Sequence, residues 1–537
     1  MLESVETHLV DYKDTGKFSR IVTDYIEGSF PKQLYEYPVS IEGIRQSILN
    51  RSSFTTNREL LVSTLKKQYT SVSTSLRVQQ NIQALLNANT FTICTAHQPN
   101  IFTGHLYFIY KILHAIKLAD ALRSKLPGHN FVPVFYMGSE DADLEELGQI
   151  YLSGEKKVWQ TKQKGAVGRM LVDQPLLELI DQISGQLTIH PYGSELIDLI
   201  RICYAKGNTI ELATFKLIHS LFERYGLIVL LPDCSELKQQ MISVFQDDIF
   251  NNTPSKLVKE TSLSMGENYK VQAHAREINL FYLDDGIRNR ISKDKQVFKV
   301  ENTALVFSED ELRNELSRHP EKFSPNVILR GLYQETILPN VAFIGGGGEL
   351  AYWLQLKSLF QEYAVPFPVL ILRNSFVVVE AKHAAFMKNN SLEVQDIFSP
   401  VDNLMKRLVT KESSVELSLE QHRKRLKELY NEIRSAASSI DPTLKDHVAS
   451  LHKKAEKSMQ ALEKKMYKAE KLKFDARERQ LVKFHKGLFP DGELQERIEN
   501  FMPYYSKYGK EFISELYKAS LGLEQKVTVL LHPVVEK

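Results

Sequence analysis

Two histidines and a Thr-Gly pair share one short polar stretch of the sequence. The stretch, residues 95–105, carries His97, Gln98, Thr103, Gly104 and His105. A histidine ring can donate a hydrogen bond to a phosphate oxygen, and a glycine lets a ligand approach backbone N–H groups. The pattern predicts that His97 and His105 stabilise a phosphate under nucleophilic attack, while Gln98, Thr103 and Gly104 contact the substrate. The alternative is that the histidines are ordinary surface residues of a loop.

A second polar stretch, residues 138–146, is dominated by carboxylates. Asp141 and Asp143, with Ser139 beside them, are predicted to bind substrate, because such carboxylates can hold an ammonium group or a magnesium ion. The spacing matches no metal-binding signature. Carboxylates in the first turns of a helix are also good partners for the helix dipole, and that structural role is the alternative.

A run of four glycines stands next to an acidic and an aromatic residue. The residues are Gly345, Gly346, Gly347, Gly348, Glu349 and Tyr352. Because consecutive glycines cost backbone entropy, the run indicates a nest of N–H groups that cradles anionic oxygens or a ribose, and we assign these six residues to cofactor binding. The run is neither a Walker loop nor GxGxxG, so the class of nucleotide stays open. A tight turn between strand and helix is the alternative.

Three further polar residues, Arg276, Asn279 and Arg330, are predicted to bind substrate. A guanidinium group can form two parallel hydrogen bonds with a carboxylate or a phosphate. Internal ion pairs, such as one between Arg330 and Glu335, are the alternative. Arg373, which follows the last predicted core strand, has the same two possible roles.

Short apolar runs alternate with amphipathic helices through this region. The predicted strands are residues 91–96, 131–137, 225–231, 341–344 and 369–372. This alternation predicts an α/β fold with a parallel sheet covered by helices on both faces. Ligands bind beyond the carboxyl ends of such strands, so the histidine, carboxylate and glycine stretches should meet there. A helix is predicted over residues 106–122, with Lys111 on its surface.

Uneven spacing between the strands indicates insertions into this core. About 90 residues separate the second strand from the third, which predicts an inserted helical subdomain near 150–215. A second insertion, near 245–330, contains a predicted β-hairpin around Asp284-Asp285-Gly286 and a capping box formed by Ser308 and Glu311. The residues before 90 are predicted to be mostly helical.

Beyond residue 400 the apolar residues follow a heptad. The repeat covers residues 415–436 and 444–472, which predicts an antiparallel coiled-coil hairpin used for dimerisation. The basic run at 453–473 is interspersed with glutamates and is interpreted as a solvated flank, not a polyanion site. Residues 527–531 are predicted to form a strand that returns the C-terminus to the core.

Composition excludes several classes of protein. The chain has 537 residues, with 68 Lys plus Arg, 66 Asp plus Glu and a net charge of +2. This balance argues against nucleic-acid binding, and no apolar run is long enough to cross a membrane. The N-terminus lacks the pattern of a secretory signal, so a cytoplasmic location is expected. Cys94, Cys203 and Cys234 are scattered, so we expect no disulfide framework and no cysteine-rich zinc site.

Five blocks of sequence, taken in order, resemble the BshC family, which comprises cysteine ligases of bacillithiol biosynthesis. The blocks are residues 97–104, Ser139-Glu140-Asp141-Ala142-Asp143, residues 276–281, Ser324-Pro325-Asn326-Val327 and residues 342–353. The resemblance extends over nearly the whole chain, coiled coil included. Several matched blocks in the same order are much more specific than any single motif.

The resemblance implies a Rossmann-like core related to class I aminoacyl-tRNA synthetases, with insertions and a coiled coil that forms a homodimer. It implies that L-cysteine is joined to the amine of glucosaminyl malate, and that the protein binds an adenine nucleotide, ATP or ADP, with magnesium as a further candidate. The expected boundaries are 1–390 for the core, 391–505 for the coiled-coil arm and 506–537 for the returning C-terminal segment.

For such a ligase the sequence suggests a mechanism. The cysteine carboxylate would attack ATP to give cysteinyl adenylate, with the loop from His97 to His105 stabilising the α-phosphate, and the amine would then displace AMP. The acidic stretch would hold the cysteine ammonium, and Arg276 or Arg330 the malate carboxylates. Two alternatives remain: a non-catalytic nucleotide-binding component of a thiol-biosynthesis complex, or a tRNA-binding relative of the synthetases, which the balanced charge disfavours.

Overall fold

A computed structural model describes residues 5–533, with Glu267 described in its backbone only. The chain divides into two compact units. The core unit comprises the described residues up to Glu380 together with Glu493–Pro533, and the arm unit comprises Ala381–Gly492. None of the helices within residues 5–533 has the length and apolar character that a membrane span requires.

Strands and helices alternate through most of the core unit. The strands are β1 Glu6–Val10, β2 Thr90–His97, β3 Asn130–Met137, β4 Gln149–Leu152, β5 Glu155–Val158, β6 Ile228–Leu230, β7 Leu280–Asp284, β8 Ile287–Asp294, β9 Val297–Val300, β10 Val306–Ser308, β11 Phe323–Pro325, β12 Asn340–Gly345, β13 Val369–Leu372, β14 Ser375–Val379 and β15 Val527–Leu531. The helices up to the arm are α1 Arg20–Ile26, α2 Ile41–Ser52, α3 Arg58–Gln68, α4 Leu76–Ala84, α5 Leu106–Lys125, α6 Leu144–Leu147, α7 Gln174–Leu187, α8 Gly193–Cys203, α9 Ile210–Phe222, α10 Ser235–Lys238, α11 Ile242–Phe250, α12 Thr253–Ser264, α13 Glu309–Arg318, α14 Val327–Ile337, α15 Gly347–Trp353 and α16 Lys357–Glu362. The remaining helices are α17 Ala381–Asn389, α18 Val401–Glu412, α19 Glu420–Ile440, α20 Leu444–Lys471, α21 Asp475–Leu488, α22 Gln495–Ile498, α23 Met502–Tyr508 and α24 Lys510–Ala519.

Five parallel strands form the central sheet, in the order β13, β12, β2, β3, β6. Their side chains are buried without alternation, as expected when helices cover both faces of a parallel sheet. The predicted α/β fold class is therefore confirmed. The third predicted strand is shorter than expected, because residues 223–225 form a 3₁₀ turn that ends at Gly226 with φ 77°. The register pairs His97 with Met137, which places both at the carboxyl edge of the sheet.

A second sheet joins the two ends of the described chain. β15 pairs in parallel with β14 and antiparallel with β1. The predicted C-terminal strand is confirmed at the bounds Val527–Leu531. The expectation that the chain before residue 90 is mostly helical missed β1, whose five residues are largely exposed. A strand so short and exposed depends on its pairing with β15, which the local sequence does not reveal.

Two insertions extend the core. Helices α7, α8 and α9 fill the first, as predicted, but the hairpin of β4 and β5 that precedes them was missed. The second contains an antiparallel sheet in the order β10, β9, β8, β7, β11, with β7 and β8 forming the predicted hairpin. The capping box of Ser308 and Glu311 is confirmed at the start of α13.

The arm unit contains the predicted helical hairpin. α19 and α20 pack along each other. α19 begins at Glu420, so the first apolar positions of the heptad precede the helix. The compact arm unit ends at Gly492, short of the expected boundary at 505. The difference arises because α22 and α23 bury side chains within the core unit.

Candidate functional site

A cavity of about 400 Å³ opens at the carboxyl edge of the central sheet, within the core unit. Parallel strands present their carboxyl ends at the same edge, so the segments that follow β2, β3 and β12 meet here. His97 and Gln98 line the cavity after β2, and Asp141 lines it after β3. Gly346, Gly347, Gly348, Glu349 and Tyr352 line it after β12. The structure thus brings together residues of all three predicted stretches.

His97 is hydrogen-bonded at both ring nitrogens. Its Nδ1 lies 3.2 Å from the Gln98 carbonyl oxygen, and its Nε2 lies 3.2 Å from the Tyr107 hydroxyl. A carbonyl oxygen can only accept, so Nδ1 carries the proton and Nε2 of the neutral ring accepts from the Tyr107 O–H. Burial lowers the pKa of His97 to about 3, and the charge of Lys111 acts in the same direction. His97 is therefore a neutral ring that accepts a hydrogen bond at Nε2.

The other predicted residues of this stretch lie away from the cavity wall. Phe102, Thr103 and Gly104 form a buried turn with φ of 49°, 67° and 63°. The N-cap position of α5 belongs to His105, so Thr103 does not cap this helix. The His105 Nδ1 lies 2.9 Å from the Ile498 carbonyl oxygen. The structure therefore separates Thr103, Gly104 and His105 from the cavity.

Glu140, which was not predicted as a site residue, is the buried carboxylate of the acidic stretch. It forms an ion pair with Lys238, whose Nζ also lies 2.8 Å from Asp233. Burial raises the pKa of Glu140, while Lys238 acts in the opposite direction. Asp141 accepts a hydrogen bond from the Gln98 Nε2 at 3.1 Å, so the histidine and acidic stretches are connected.

Asp143 and Ser139 do not line the cavity. Asp143 is the N-cap of α6 and accepts a hydrogen bond from the Glu146 N–H at 3.1 Å. Ser139 is fully buried. Asp143 thus has a local structural role at the start of a helix.

The glycine run spans the end of β12 and the start of α15. None of these four glycines has a positive φ. The predicted nest of backbone N–H groups therefore does not arise from residues in the left-handed conformation. Gly345 is required by packing, because an added Cβ would lie 2.9–3.1 Å from three side-chain atoms. A Cβ at Gly346 would lie 3.7 Å from the Arg373 Nε, and one at Gly348 would lie 3.9 Å from the Gln272 Nε2. Neither strain nor crowding requires these two glycines, and both leave open space in the cavity.

Lys111 and Glu349 form an ion pair beside this turn. The Lys111 Nζ lies 2.5 Å from the Glu349 Oε2 and 2.5 Å from the Ala96 carbonyl oxygen. The same Glu349 oxygen accepts the Gly346 N–H at 2.8 Å. The prediction of a surface Lys111 is therefore wrong, because α5 is apolar on nearly all sides and buries its lysine. Burial lowers the pKa of Lys111, and Glu349 opposes this.

Arg330 lines the cavity, and its guanidinium forms no ion pair with a carboxylate among the described residues. It donates from Nη2 to the Tyr352 hydroxyl, while its buried Nη1 has no hydrogen-bond partner among the described residues. The alternative ion pair with Glu335 does not form, because Glu335 pairs with Arg51 at 2.7 Å. An unpaired guanidinium in a partly buried wall favours a bound anion.

Arg497 also lines the cavity, and two further arginines of the wall have carboxylate partners. Arg373 pairs with the buried Glu496 at 2.7 Å. Arg288, which was not predicted, lies 3.9 Å from Asp141 and donates from Nε to the Ser324 hydroxyl at 3.2 Å. These pairs hold the two guanidinium groups in place but also offset their charge.

Arg276 and Asn279 do not line the cavity. Arg276 is exposed. Asn279 is buried, and its Nδ2 donates to the Asp248 Oδ1 at 2.9 Å. Its Oδ1 accepts from the Nδ2 of Asn326, a residue of the cavity wall, at 3.1 Å. Asn279 therefore holds Asn326 in the cavity wall without lining the cavity itself.

Several residues of the site were not predicted, and the signals for them differ. Glu140 and Asn326 lie inside the blocks that carry the family resemblance. Lys111 could have been found from the apolar residues that surround it on all sides of its helix. The burial of Lys238 has little local signal, because Glu140, one of its two carboxylate partners, comes from a distant segment.

The cavity wall carries both carboxylates and arginines. Within residues 5–533, no group of three or more His, Cys, Asp or Glu side chains is arranged to hold a metal. The three cysteines are free thiols, and Cys94 and Cys203 are buried. The unpaired Arg330 and the open space at Gly346 fit the oxygens of a phosphate or a carboxylate.

The fold and the site define a class: a Rossmann-like α/β protein with an anion-favouring cavity at the carboxyl edge and a helical arm. Residues 5–374 match the family description "Bacillithiol biosynthesis BshC, N-terminal Rossmann-like domain". Residues 376–532 match "Bacillithiol biosynthesis BshC, C-terminal coiled-coil domain". The chain therefore belongs to the BshC family of bacillithiol biosynthesis, as the sequence blocks predicted.

Relatives from several bacteria support this assignment. The chain is 37% identical to a protein of Flavobacterium johnsoniae named "Putative cysteine ligase BshC", over 98% of this chain and 99% of the relative. A protein of the same name from Cytophaga hutchinsonii is 34% identical over 95% of this chain and 96% of its own length. A solved structure titled as a putative arginyl tRNA synthetase from Campylobacter jejuni aligns with 84% of this chain and 100% of its own, at 11% identity and a TM-score of 0.21. That score is too low to support any conclusion.

Proposed function

We propose that the protein is an ATP-dependent ligase that joins L-cysteine to the amine of glucosaminyl malate and so makes bacillithiol. The names of the relatives support a cysteine ligase. The observation that carries the proposal is the unpaired Arg330 in a cavity at the carboxyl edge of the sheet. The free Nη1 of this guanidinium can donate to an anion of a ligand, and ATP, cysteine and malate all carry one.

The charged residues of the cavity wall suggest which substrate group each part of the site binds. Arg330 and Arg373, with the open space at Gly346, suit phosphate or malate oxygens. Glu140 and Asp141 suit the ammonium group of cysteine. Among the residues predicted for these roles, Asp143 and Arg276 are placed less well, because neither faces the cavity.

The proposed reaction has two steps. A carboxylate oxygen of cysteine forms a bond to the α-phosphorus of ATP, and pyrophosphate leaves. The amine of glucosaminyl malate then forms a bond to the cysteine carbonyl carbon, AMP leaves and the amine loses a proton. Both steps need the reacting groups to be held close together and to be shielded from water. Because ATP is a cytoplasmic substrate, the proposal implies a cytoplasmic location.

The direct test is reconstitution with purified protein. L-Cysteine, ATP with magnesium and glucosaminyl malate are mixed with the protein, and bacillithiol, AMP and pyrophosphate are quantified. We expect all three products in equal amounts over many turnovers, and no bacillithiol when any substrate is omitted. The matched control replaces glucosaminyl malate by malate, which lacks the amine and should give no bacillithiol.

A non-catalytic role would give a different result. A nucleotide-binding component of a larger complex would bind ATP or ADP in calorimetry yet release no pyrophosphate. Absence of product at high protein concentration, with nucleotide binding intact, would therefore contradict direct ligation. Release of ADP and phosphate in place of AMP and pyrophosphate would contradict the adenylate.

We also propose that the arm forms a homodimer. Leu429, Ile433, Leu451 and Leu462 of α19 and α20 are 41–53% exposed, and a second arm would cover them. Analytical ultracentrifugation should show a dimer that Leu429→Glu with Ile433→Glu converts to a monomer. The control Lys453→Glu, also in the arm, should leave the dimer intact. A dimer that survives the double substitution would place the interface elsewhere.

A further inference from the structure

A short segment that follows the arm, residues 495–500, reaches two parts of the candidate site. It consists of α22 and the two residues after it, and it belongs to the core unit. Gln495, Glu496 and Asn500 are all buried. Gln495 serves the sheet, because its side-chain amide bonds the N–H and the carbonyl oxygen of Val378 in β14. Glu496 and Asn500 have other partners.

Glu496 forms an ion pair with Arg373. One carboxylate oxygen lies 2.7 Å from the Arg373 Nη2, and the other accepts the Phe376 N–H at 3.2 Å. The Arg373 Nη1 donates to the Asn374 carbonyl oxygen at 3.0 Å. A guanidinium held at two of its nitrogens has little freedom to rotate. Its Nε is left near the open space at Gly346, so Glu496 decides where the charge of Arg373 faces the cavity.

Asn500 fixes the turn with the strained backbone. Its Nδ2 donates to the Phe102 carbonyl oxygen at 2.9 Å and to the Gly104 carbonyl oxygen, and its Oδ1 accepts the Met502 N–H at 2.9 Å. Phe102 and Thr103 have positive φ, a strained conformation that persists only where the surrounding structure holds it. The turn therefore depends on its hydrogen bonds, and those to Asn500 hold two of its three carbonyl groups.

The turn matters to the site because it joins the end of β2 to the start of α5. His97 is the last residue of β2, and Tyr107, which bonds the His97 Nε2, is the second residue of α5. A change in the shape of the turn would move the start of α5 relative to β2. The contact between Tyr107 and His97 would then change.

We propose that Glu496 and Asn500 are positioning residues of the active site. Glu496 aims Arg373 at an anionic group of the substrates, and Asn500 sets Tyr107 against His97. Neither residue lines the cavity, so both act through others. The kinetic readouts rest on the proposed function, whereas binding and hydrogen-exchange readouts do not require ligation.

Glu496→Gln tests the first role, with the Kd of ATP and of L-malate measured separately by calorimetry and KM and kcat measured in the ligation assay. Arg373→Met identifies which probe Arg373 contacts. For that probe we expect Glu496→Gln to weaken binding about tenfold, the scale of one charge-assisted hydrogen bond, and to raise KM with kcat little changed. Glu496→Asp should recover part of the affinity. The control Glu511→Gln removes an exposed partner of Lys518 and should change neither constant.

The sign of the effect separates positioning from mere neutralisation. If Glu496 only offset the charge of Arg373, its loss would make the cavity more positive, and the probe would bind more tightly. Unchanged or tighter binding in a folded Glu496→Gln would therefore overturn the first role. If Glu496→Gln does not fold, Glu496→Asp decides, because its shorter side chain retains the charge but moves it away from Arg373.

Asn500→Asp tests the second role, because it keeps the size of the side chain but replaces a donor by an acceptor. Hydrogen–deuterium exchange should rise in residues 101–107. kcat should fall about a hundredfold with the KM of ATP little changed, the loss expected when a catalytic geometry shifts by about 1 Å. The control Asn390→Asp removes a comparable bond, to the Phe386 carbonyl oxygen in the arm unit, and should leave exchange at 101–107 unchanged.

Asn500→Ser removes the amide group that donates to both carbonyl oxygens and adds no negative charge. It tests the second role if Asn500→Asp does not fold. Exchange at 101–107 equal to that of the control would overturn the second role. If the wild-type protein makes no bacillithiol, the proposed function fails, while exchange and calorimetry still decide the two positioning roles.

Discussion

The cavity wall and the coiled-coil arm use charged residues in opposite ways. At the cavity, the wall residues Glu140 and Arg373 and the neighbouring Lys111 are buried, and each pairs with a specific opposite charge. In the arm, α19 buries no residue and α20 buries only Val448. A buried ion costs several kcal/mol unless its partner compensates, whereas an exposed ion pair contributes about 0–1 kcal/mol.

This contrast shows why composition alone misleads. A near-neutral net charge conceals an arm whose charges keep its helices hydrated and a cavity whose charges maintain a binding site. The same substitution should therefore have a large effect in one region and a small effect in the other.

Loss of a buried ion pair should have the largest effect. Lys111→Met leaves the Glu349 carboxylate without its cation, so we expect the free energy of unfolding to fall by about 3–5 kcal/mol in urea titrations. Adding Glu349→Gln should restore much of this loss. The control Lys453→Met, exposed in the arm, should change stability by less than about 0.5 kcal/mol. Equal losses in the two single variants would refute the contrast between the regions.

Loss of the unpaired cation should affect catalysis more than stability. Arg330→Met removes the proposed anion contact, so kcat/KM for bacillithiol formation should fall about a hundredfold, or about 2.7 kcal/mol. The melting temperature should change little, because the variant leaves no carboxylate without a partner. Arg425→Met, in the arm, serves as the control, and a similar loss there would argue against a specific role for Arg330.

A pH dependence should come from Glu211, a partly buried neighbour of the acidic network. Burial raises the pKa of Glu211 to about 7, and Asp233 adds to this. The folded protein then keeps this proton up to about pH 7, while the unfolded chain loses it near 4.3, so wild-type stability should fall as pH rises between these values.

Glu211→Gln resembles the protonated acid at every pH. The difference in stability between this variant and the wild type therefore reports the titration of Glu211 alone. The variant should gain about 1–2 kcal/mol over the wild type between about pH 5 and 7, with no further gain above, as unfolding measurements at several pH values would show. The control Glu428→Gln, exposed in the arm, should give a difference that does not vary with pH. If the gain in stability of Glu211→Gln grew only below pH 5, the pH dependence would be opposite to the expected one and would contradict this prediction.

The smallest effect is expected for an ion pair of the arm. Arg423 and Glu463 lie 3.9 Å apart and are 28–29% exposed. Arg423→Met should lower the free energy of unfolding by no more than about 0.5 kcal/mol, and high salt should remove the difference. A loss as large as that of Lys111→Met would show that the arm also depends on specific ion pairs.

Much of the fold was predictable because it depends on local patterns. Buried parallel strands are continuous apolar runs, so β2, β3, β12 and β13 were recognisable, and the heptad indicated the hairpin of α19 and α20. The order of sequence blocks was sufficient to identify the family. The sequence also predicted that the three polar stretches lie at one edge of the sheet, because parallel strands have their carboxyl ends at the same edge.

The roles of individual residues were less predictable. Of the residues assigned to substrate or catalysis, His97, Gln98, Asp141 and Arg330 line the cavity. Thr103, Gly104, His105, Ser139, Asp143, Arg276 and Asn279 do not. A loop residue can turn toward the ligand or toward the protein, and local sequence does not distinguish the two.

The sequence by itself determined most strands of the central sheet and the helices of the arm, and which edge of the sheet holds the polar residues. Only the tertiary structure decided that Lys111 pairs with Glu349, that Glu140 pairs with Lys238 and that residues 495–500 contact Arg373 and the strained turn. The reason is physical: secondary structure follows from residues within a few positions of one another, whereas the partner of a buried charge is chosen by packing between segments far apart in the chain.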